Sequence, residues 1–328
     1  MPPSSLPAKP LRCGGSAYTP GMRMLGFRSY GGPDVQGLID VPAPVPGPGQ
    51  VLVQMRAAGV NPADIKVRLG QRTGAVEVRF PMAMGREASG TVLAVGEGED
   101  GAADLEVCDE VFGSTASGTG AVAEQVLLDA SGTALRPAGV TPEQASSIPV
   151  AFATAHDALH QMALPAGSSV LVIGAGGGVG TAMCSLGRRA GLRVIGVASA
   201  AKRDLVVGLG AVHVLSGAQW ADRVRAIAPD GVDALLDLAG GRVLAEAVAL
   251  LAPGRAPLSI ADPAAAGEHG GGGVARRRTT QVFAEVAEIV AAGEAAPVVT
   301  ATYPLDRAAE AVAAVESGHA AGNVVVTA

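Results

Sequence analysis

Cysteine, aromatic and charged residues are all scarce in this sequence of 328 residues. Its three cysteines, Cys13, Cys108 and Cys184, share no short metal-ligand spacing, so neither a disulfide scaffold nor a cysteine-based metal site is predicted, and a reducing cytoplasm is the simplest location. Charged residues make up 16% and apolar residues 48%, which excludes a disordered polyelectrolyte. The formal net charge of −6 includes no long run of either sign, so no binding to nucleic acid is predicted.

Long apolar runs are also missing. The longest uncharged apolar stretch, residues 170–186, contains five glycines and is followed by Arg188 and Arg189, which favours a sharp loop over a membrane helix. Residues 1–21 are interrupted by five prolines and have no continuous apolar core, so they are not typical of a signal peptide. We expect them to form a flexible extension, with folded structure starting near Met22 or Met24.

The hydrophobic pattern changes at about residue 147. In residues 22–146, short apolar runs alternate with Pro and Gly clusters, which is typical of strands in a small barrel or sandwich. In residues 147–262, buried-strand runs alternate with helical stretches, which predicts parallel βαβ units in a doubly wound sheet. Residues 263–328 add two further helical stretches and two strands. The predicted fold class is therefore α/β, with a β-rich domain and a doubly wound parallel-sheet domain.

The most informative segment is the glycine-rich loop after the strand predicted at 169–173. The loop opens a predicted helix, and its missing side chains allow the backbone and the helix N-terminus to approach a pyrophosphate. Position 179 is valine, so the strict G-x-G-x-x-G spacing is not met and an ordinary Gly-rich turn is the alternative. The βαβ alternation that follows favours dinucleotide binding. The loop residues predicted to contact the cofactor are Gly176, Gly177, Gly178 and Val179.

The end of the second predicted strand, 193–198, indicates which dinucleotide is bound. A carboxylate about 20 residues after the loop would hydrogen-bond the ribose of NAD and repel a 2′-phosphate. This sequence has Ser199, Lys202 and Arg203 instead, which supply a hydrogen bond and two positive charges, and this predicts NADPH. The alternative is that the two basic residues only begin a solvated helix.

Several short motifs, each weak alone, occur in a characteristic order and spacing. They are Gly31-Gly-Pro-Asp34, Pro48-Gly-Gln-Val-Leu-Val53, Ala58-Gly-Val-Asn-Pro-Ala-Asp-Ile-Lys66, Asp109-Glu-Val-Phe-Gly113, Ala175-Gly-Gly-Gly-Val-Gly180 and Gly318-His-Ala-Ala-Gly-Asn-Val-Val-Val326. Through them the chain resembles the medium-chain dehydrogenase/reductase superfamily from residue 22 to its end, and most closely the zinc-free quinone-oxidoreductase (zeta-crystallin-like) branch. The resemblance implies a GroES-like catalytic domain (22–146), an NADP-binding Rossmann domain (147–262) and a return segment (263–328) that completes the catalytic domain.

The resemblance also bears on metal and chemistry. Zinc-dependent relatives hold a cysteine and a histidine where this sequence has Asn61 and Arg86, and a guanidinium does not ligate Zn²⁺. No metal is therefore predicted. The reaction expected without a Lewis acid is hydride delivery from NADPH to a quinone or an α,β-unsaturated carbonyl compound.

Further site residues follow from the resemblance. Asn61 and Asp64 are expected beside the nicotinamide ribose and the substrate, and Lys66 is the nearest strong donor for a developing oxyanion. The alternatives are that Asn61 shapes a turn and that Asp64 caps a helix. Thr154 matches a position that approaches the nicotinamide, or else packs a helix. The backbone at Ala239 and Ile260 is expected to face the cofactor from the opposite side.

The sequence differs from the zeta-crystallin-like branch at two places. Asn323 replaces a lysine common in relatives, and Ser216 or Gly217 stands where some relatives stack a tyrosine on the adenine.

A free-standing enoyl reductase for a polyketide or acyl intermediate shares the fold and the hydride chemistry, and a non-catalytic NADPH-binding protein with a structural or redox-sensing role is the alternative of another class. The resemblance also implies a homodimer, with residues 256–260 as the candidate edge strand.

Overall fold

A computed structural model describes residues 21–97 and 105–328. Its N-terminal elements are β1 (Gly21–Phe27), β2 (Gln36–Pro42), β3 (Gln50–Val60), α1 (Pro62–Arg68), β4 (Met82–Ala83), β5 (Glu87–Val95), β6 (Glu110–Thr115), β7 (Gln125–Leu135), α2 (Pro142–Ala145) and a π-helical segment (Ile148–Phe152). The predicted extension lies outside the described residues except for Gly21, which begins β1.

The remaining elements follow in alternation and then return. They are α3 (Ala153–Met162), β8 (Ser169–Ile173), α4 (Gly178–Arg189), β9 (Arg193–Ala198), α5 (Arg203–Gly208), β10 (Val212–Leu215), α6 (Trp220–Ile227), β11 (Ala234–Asp237), α7 (Gly241–Val248), β12 (Pro257–Ser259), α8 (Pro263–Glu268), α9 (Thr280–Ala291), β13 (Val299–Pro304), α10 (Ala308–Glu316) and β14 (Asn323–Thr327). Among the described residues, no helix is both long and apolar enough to cross a membrane.

The strands form two main sheets. Six of them pair in the order β13-β14-β3-β5-β6-β7, and an additional pairing of β3 with β7 bends this sheet into a barrel-like form; β2, β1 and β4 make a small third sheet. Five strands form a parallel sheet in the order β10-β9-β8-β11-β12. The strand order reverses between β8 and β11, which is where doubly wound sheets bind ligands.

The parallel strands are apolar throughout because both faces of their sheet are covered. In β8, Val170 and Val172 pack into one core cluster with α3, α4 and α9, while Leu171 and Ile173 pack into another with α6 and α7. This alternation follows from the two-residue period of a strand. The buried-strand runs predicted at 169–173 and 193–198 coincide with β8 and β9.

The chain returns to the six-stranded sheet at β13, later than residue 263. Before that, α9 packs between the two halves: the rings of Phe283 and Phe112 of β6 lie 6.2 Å apart, and Val286 belongs to the core cluster beneath the parallel sheet. Only β13, α10 and β14 then join the N-terminal sheet and its core. The domain limits deduced from the sequence stay predictions.

The edge strand proposed for dimerisation is partly covered. Gly272 donates to the carbonyl of Pro257 (3.1 Å) and accepts from the N–H of Ser259 (2.8 Å), so a short parallel bridge occupies the outer edge of β12. The chain thus folds back on its own edge, and Pro257 and Ser259 already have backbone partners on the outer side of β12. The homodimer itself stays a prediction.

Arg68 joins the N-terminal sheet region to the returning helix. Its side chain is fully buried and donates to Glu316 of α10 (2.6 Å), to Gln36 (2.7 Å) and to the carbonyl of Gly31 (3.3 Å). A buried guanidinium needs all of these acceptors, and each acceptor loses its partner if the guanidinium is removed.

We therefore predict that Arg68→Gln lowers the free energy of unfolding by about 3 kcal/mol, because it breaks a buried charge pair and leaves acceptors unpaired. Urea unfolding followed by circular dichroism measures this. Arg307→Gln, which removes an exposed pair with Glu310, is the control and should leave stability nearly unchanged. Equal stability of Arg68→Gln and the wild type would contradict the role given to Arg68.

Candidate active site

The glycine loop between β8 and α4 provides a close backbone approach. Gly174 has a φ of +85°, which turns the chain out of β8, and Gly177 is the N-cap of α4. A Cβ at Gly180 would lie 2.3 Å from the carbonyl oxygen of Gly174, so glycine is required where the helix packs against the strand. The first amide groups of α4, from Gly178 and Val179 onward, have no acceptor within the helix and face a potential anion.

A cleft of about 830 Å³ opens beside this loop at the carboxyl ends of the parallel strands. It is lined by four of the residues predicted to bind the cofactor, which are Gly176 of the loop, Ser199, Lys202 and Ala239, whereas Gly177, Gly178 and Val179 are not among its lining residues. Sequence reasoning missed other lining residues, among them Trp220, Arg242, Glu246 and His319. The indole N–H of Trp220 donates to Glu246 (3.0 Å). No sequence motif predicts this contact.

The two basic residues after β9 do not share a position. Lys202 lies over the loop, since a Cβ at Gly176 would fall 2.3 Å from its side chain, and its Nζ donates to the carbonyl of Ala320 (2.6 Å). Burial lowers the pKa of Lys202. Arg203 is the first residue of α5, and its side chain points in a different direction from that of Lys202. It lines a separate depression together with His213 and Arg223. Only Lys202 therefore borders the cleft.

The C-terminal segment closes the other side of the loop. The N–H of Gly322 donates to the carbonyl of Gly176 (2.9 Å), and a Cβ at Gly178 would lie 2.6 Å from Oδ1 of Asn323. The residue that replaces the lysine of many relatives is thus packed directly against the start of α4. The side chain that occupies this position helps to shape the loop.

Ala239 and Ile260 are both hydrogen-bonded to the buried residue Asp237, the first to its side chain and the second to its backbone. Asp237 accepts from the N–H of Ala239 (3.0 Å), from the N–H of Gly240 (3.0 Å) and from the hydroxyl of Ser259 (2.6 Å). The N–H of Ile260 donates to the backbone carbonyl of Asp237 (2.9 Å). Ala239 lines the cleft, whereas Ile260 is half-buried and packs against the core beneath the sheet.

Asn61, Asp64 and Glu87 form a second group, which we call the polar cluster. The amide Nδ2 of Asn61 donates to Oε1 of Glu87 (2.7 Å), and the N–H of Val150 donates to Oε2 of Glu87 (2.8 Å). Asp64 accepts from the backbone N–H of Asn61 (2.8 Å), so it also caps α1. The sequence did not single out Glu87, although it lies at the end of the same segment as Arg86.

Burial alters the proton affinity of both carboxyl groups in the polar cluster. It raises the pKa of Asp64 to about 6, although the hydrogen bond from Asn61 and the charges of Arg86 and Arg278 act in the opposite direction. Burial also raises the pKa of Glu87 to about 8, against the hydrogen bonds from Asn61 and Val150, and the nearby Asp64 raises it further. Near neutral pH, Glu87 therefore retains a proton.

Two other predicted residues lie differently. Lys66 follows Asp64 by two positions in α1, which places it roughly 200° around the helix from the side of the polar cluster. Thr154 is buried on α3, four residues after Val150, whose N–H contacts Glu87. Thr154 is thus brought near the polar cluster along the chain, and Lys66 is directed away from it.

The side chains present do not suit a zinc ion. The two positions at which zinc-dependent relatives are expected to hold a cysteine and a histidine are Asn61, engaged with Glu87, and Arg86, a cation. Across residues 21–97 and 105–328, no three His, Cys, Asp or Glu side chains gather as a metal-binding group. The residues around the cleft fit a dinucleotide instead.

Comparison with known proteins identifies the family. The alcohol dehydrogenase GroES-like domain family matches residues 47–138, and the zinc-binding dehydrogenase family matches residues 209–326. The quinone oxidoreductase of Rattus norvegicus is 32% identical over an alignment of 311 positions, and the match covers 88% of this chain and 92% of that protein. The chain belongs to the medium-chain dehydrogenase/reductase superfamily, as its motifs predicted.

Other relatives extend the range of functions. The synaptic vesicle membrane protein VAT-1 homolog of Rattus norvegicus is 35% identical over 250 residues, or 75% of this chain, and the chain spans 58% of that protein's length. The spectinabilin polyketide synthase system protein NorB of Streptomyces orinoci is 34% identical over 322 residues, which are 90% of this chain and 14% of that protein. Among solved structures, mycobacterial Rv1454c complexed with NADPH has a TM-score of 0.83 and 31% identity, and the match covers 94% of this chain and 100% of that one.

The raised pKa of Glu87 gives a testable pH dependence. The folded protein keeps a proton that the unfolded chain releases between the ordinary pKa of 4.5 and about 8, so the stability contributed by this carboxyl falls as pH rises through that interval. For Glu87→Gln, which does not titrate, the free energy of unfolding minus that of the wild type should increase from pH 5 to pH 8. Denaturant titrations at several pH values measure it.

The matched control is Glu310→Gln, because an exposed ion pair lowers the pKa of Glu310, so this carboxyl is already largely ionised above pH 5 in both the folded protein and the unfolded chain. Its stability difference should stay flat over the same interval. A flat difference for Glu87→Gln as well would show that Glu87 is ionised in the folded protein.

Proposed function

We propose that this chain is an NADPH-dependent oxidoreductase that delivers a hydride to a quinone or to an α,β-unsaturated carbonyl compound without zinc. The observation that carries the proposal is the direct connection between the glycine loop and the polar cluster. Ala151 packs 3.5 Å from the position of a Cβ at Gly178, and the preceding residue, Val150, donates its N–H to Glu87. The adjacent residues Val150 and Ala151 thus connect the polar cluster on one side with the glycine loop on the other.

The cleft and the loop account for cofactor binding. The backbone of Gly177, Gly178 and Val179 would hold the pyrophosphate, because these residues begin α4. Ser199 and Lys202, which line the cleft, would face the adenosine ribose and its 2′-phosphate. NADPH supplies the hydride when it is bound. The similar structure of mycobacterial Rv1454c is complexed with NADPH, which supports the choice of this cofactor.

The polar cluster accounts for proton handling. Hydride addition to a conjugated carbonyl leaves negative charge on oxygen, which needs a donor and then a proton. Oδ1 of Asp64 is buried and has no hydrogen-bond partner among the described residues, so it is the atom at which this side chain would hold a proton. Glu87 holds its own proton near neutral pH, and Asn61 joins the two carboxyl groups through its backbone and side-chain N–H.

Zinc independence rests on the replaced ligands at Asn61 and Arg86. Since Arg86 brings a positive charge to the place of a metal ligand, it also supplies part of the electrostatic field that a Lewis acid would otherwise provide. The quinone oxidoreductase relatives support the choice of substrate class. A cytoplasmic location and a homodimer remain predictions from composition and resemblance.

The similarity to a polyketide synthase protein favours a second candidate, a free-standing enoyl reductase. It would use the same loop, cleft and polar cluster but accept an acyl thioester. A non-catalytic NADPH-binding role would leave the cleft functional and the polar cluster unused.

Cofactor choice is tested with the two basic residues after β9. Lys202→Gln should weaken NADPH binding about tenfold or more and leave NADH binding nearly unchanged, because a charge-assisted contact to the 2′-phosphate is lost. Arg203→Gln is the matched control: it removes an equal charge outside the cleft and should change neither affinity by more than about twofold. Fluorescence titration measures both. Equal affinity of the wild type for NADPH and NADH would refute the choice of NADPH.

Substrate class is tested by following NADPH oxidation with a panel of quinones, short enones and acyl thioesters. We expect turnover of quinones or enones, and full activity after treatment with a chelator. Preference for acyl thioesters would establish the second candidate, and oxidation of NADPH by none of them would establish the non-catalytic role. Stoichiometric zinc, together with loss of activity on chelation, would contradict the zinc-free mechanism.

A further inference from the structure

One part of the cleft beside the glycine loop has no role so far. Ser199 and Lys202 line the part assigned to the adenosine ribose and its 2′-phosphate, and further lining residues come from the start of α6 and from α7. A base is bonded directly to that ribose, so it must lie close to Ser199 and Lys202. The side chains of α6 and α7 that line the cleft are therefore the ones available to contact the base.

A pair of hydrogen bonds joins α6 to α7 at this part of the cleft. The indole N–H of Trp220, the first residue of α6, donates to Oε2 of Glu246 in α7 (3.0 Å). Nε of Arg242, four residues earlier in α7, donates to Oε1 of the same carboxylate (2.7 Å). The hydrogen bond from Arg242, and then that from Trp220, lower the pKa of Glu246. Each oxygen of an ionised Glu246 thus holds one planar group.

Arg242 offers the most accessible planar surface in the cleft. Among the described residues that line it, the aromatic and guanidinium side chains are those of Trp220, His319 and Arg242. The side chain of Arg242 is 91% exposed although its Nε is bonded to Glu246, whereas Trp220 is 6% exposed and packs into the core beneath the sheet. His319 precedes Ala320, whose carbonyl accepts from Lys202, so it belongs to the phosphate end.

The segment that leads into α6 leaves the cleft open. Residues 216–218 have the sequence Ser-Gly-Ala, and all three line the cleft. A Cβ at Gly217 would meet no atom within 4 Å. This segment therefore leaves room for a flat ring but has no side chain that could stack on one.

We propose that Arg242 is the surface on which the adenine of the cofactor stacks, with Glu246 and Trp220 as positioning residues that hold its guanidinium at the cleft. This inference rests on the proposed function and adds to it a residue that reads the base. A guanidinium plane stacks on aromatic rings, and its positive charge is attracted to their π-electrons. Nucleobases stack on arginine in the same way.

The test uses two probes that differ in the base. Adenosine 2′,5′-bisphosphate carries adenine, and methyl ribofuranoside 2,5-bisphosphate has the same sugar and phosphates without a base. Calorimetric titration measures the binding of both without turnover. We expect the wild type to bind the adenine probe at least tenfold more tightly. Arg242→Gln should weaken binding of the adenine probe about fivefold to tenfold and change binding of the base-free probe by less than about twofold.

Equal binding of the two probes by the wild type would overturn the inference. An equal loss for both probes in Arg242→Gln would also overturn it, because Arg242 would then act on the phosphates. The matched control is Arg225→Gln, which removes an exposed ion pair with Asp222 on α6 but does not line the cleft. It should leave both affinities unchanged.

Two further variants separate stacking from charge and from general stability. Arg242→Lys keeps the charge but not the plane, so it should lose most of the preference for the adenine probe, and a wild-type preference would contradict stacking. Glu246→Gln should lower affinity for the adenine probe and leave the base-free probe unchanged, because it loosens only the guanidinium. An equal loss for both probes would show that Glu246 acts on the whole cleft instead.

The outcome is separable from that of the proposed function. In NADPH oxidation, Arg242→Gln should raise KM for NADPH and change kcat little. If the adenine preference depends on Arg242 but the wild type oxidises NADPH with no acceptor, the proposed function fails and the adenine surface stands. If the wild type and Arg242→Gln turn over with equal KM for NADPH, the reductase stands and the adenine surface does not.

Discussion

The buried carboxyl group of Glu87 is the constraint on which the site depends. One oxygen accepts from the side chain of Asn61 in the β-rich half, and the other accepts from the backbone of Val150, which leads into the parallel-sheet half. A carboxyl group that is 1% exposed must satisfy both oxygens within the protein, so these two bonds set how the halves meet. Because Ala151 packs against the start of α4, the same contact sets the distance between cofactor loop and polar cluster.

The fold could be predicted from the sequence wherever burial produces a regular pattern of apolar residues. Strands such as β8 and β9 are apolar on both faces, and the glycine loop is required by the approach of Gly180 to Gly174, so runs and spacing indicated them directly. The site was only partly predictable. The difference between Lys202 and Arg203 depends on the direction of one helical residue, and the importance of Glu87 depends on its contact with Val150, 63 positions away in the sequence.

Charged and titratable groups occur in both parts of the site. Lys202 brings a positive charge to the cleft beside the glycine loop, the polar cluster holds two carboxyl groups with raised pKa, and the charges of Arg86 and Arg278 act on Asp64. The low polarity that raises the pKa values of Asp64 and Glu87 also strengthens the electrostatic interaction of these groups with neighbouring charges.

The most direct test of hydride transfer uses NADPH labelled with deuterium at C4 and a short enone as acceptor. Mass spectrometry of the reduced ketone locates the label. We expect one of the two C4 positions to deliver deuterium to the carbon β to the carbonyl, because the cofactor can present only one face to a substrate held against the polar cluster. A reduced product that carries no deuterium from either position would contradict direct hydride transfer in this cleft.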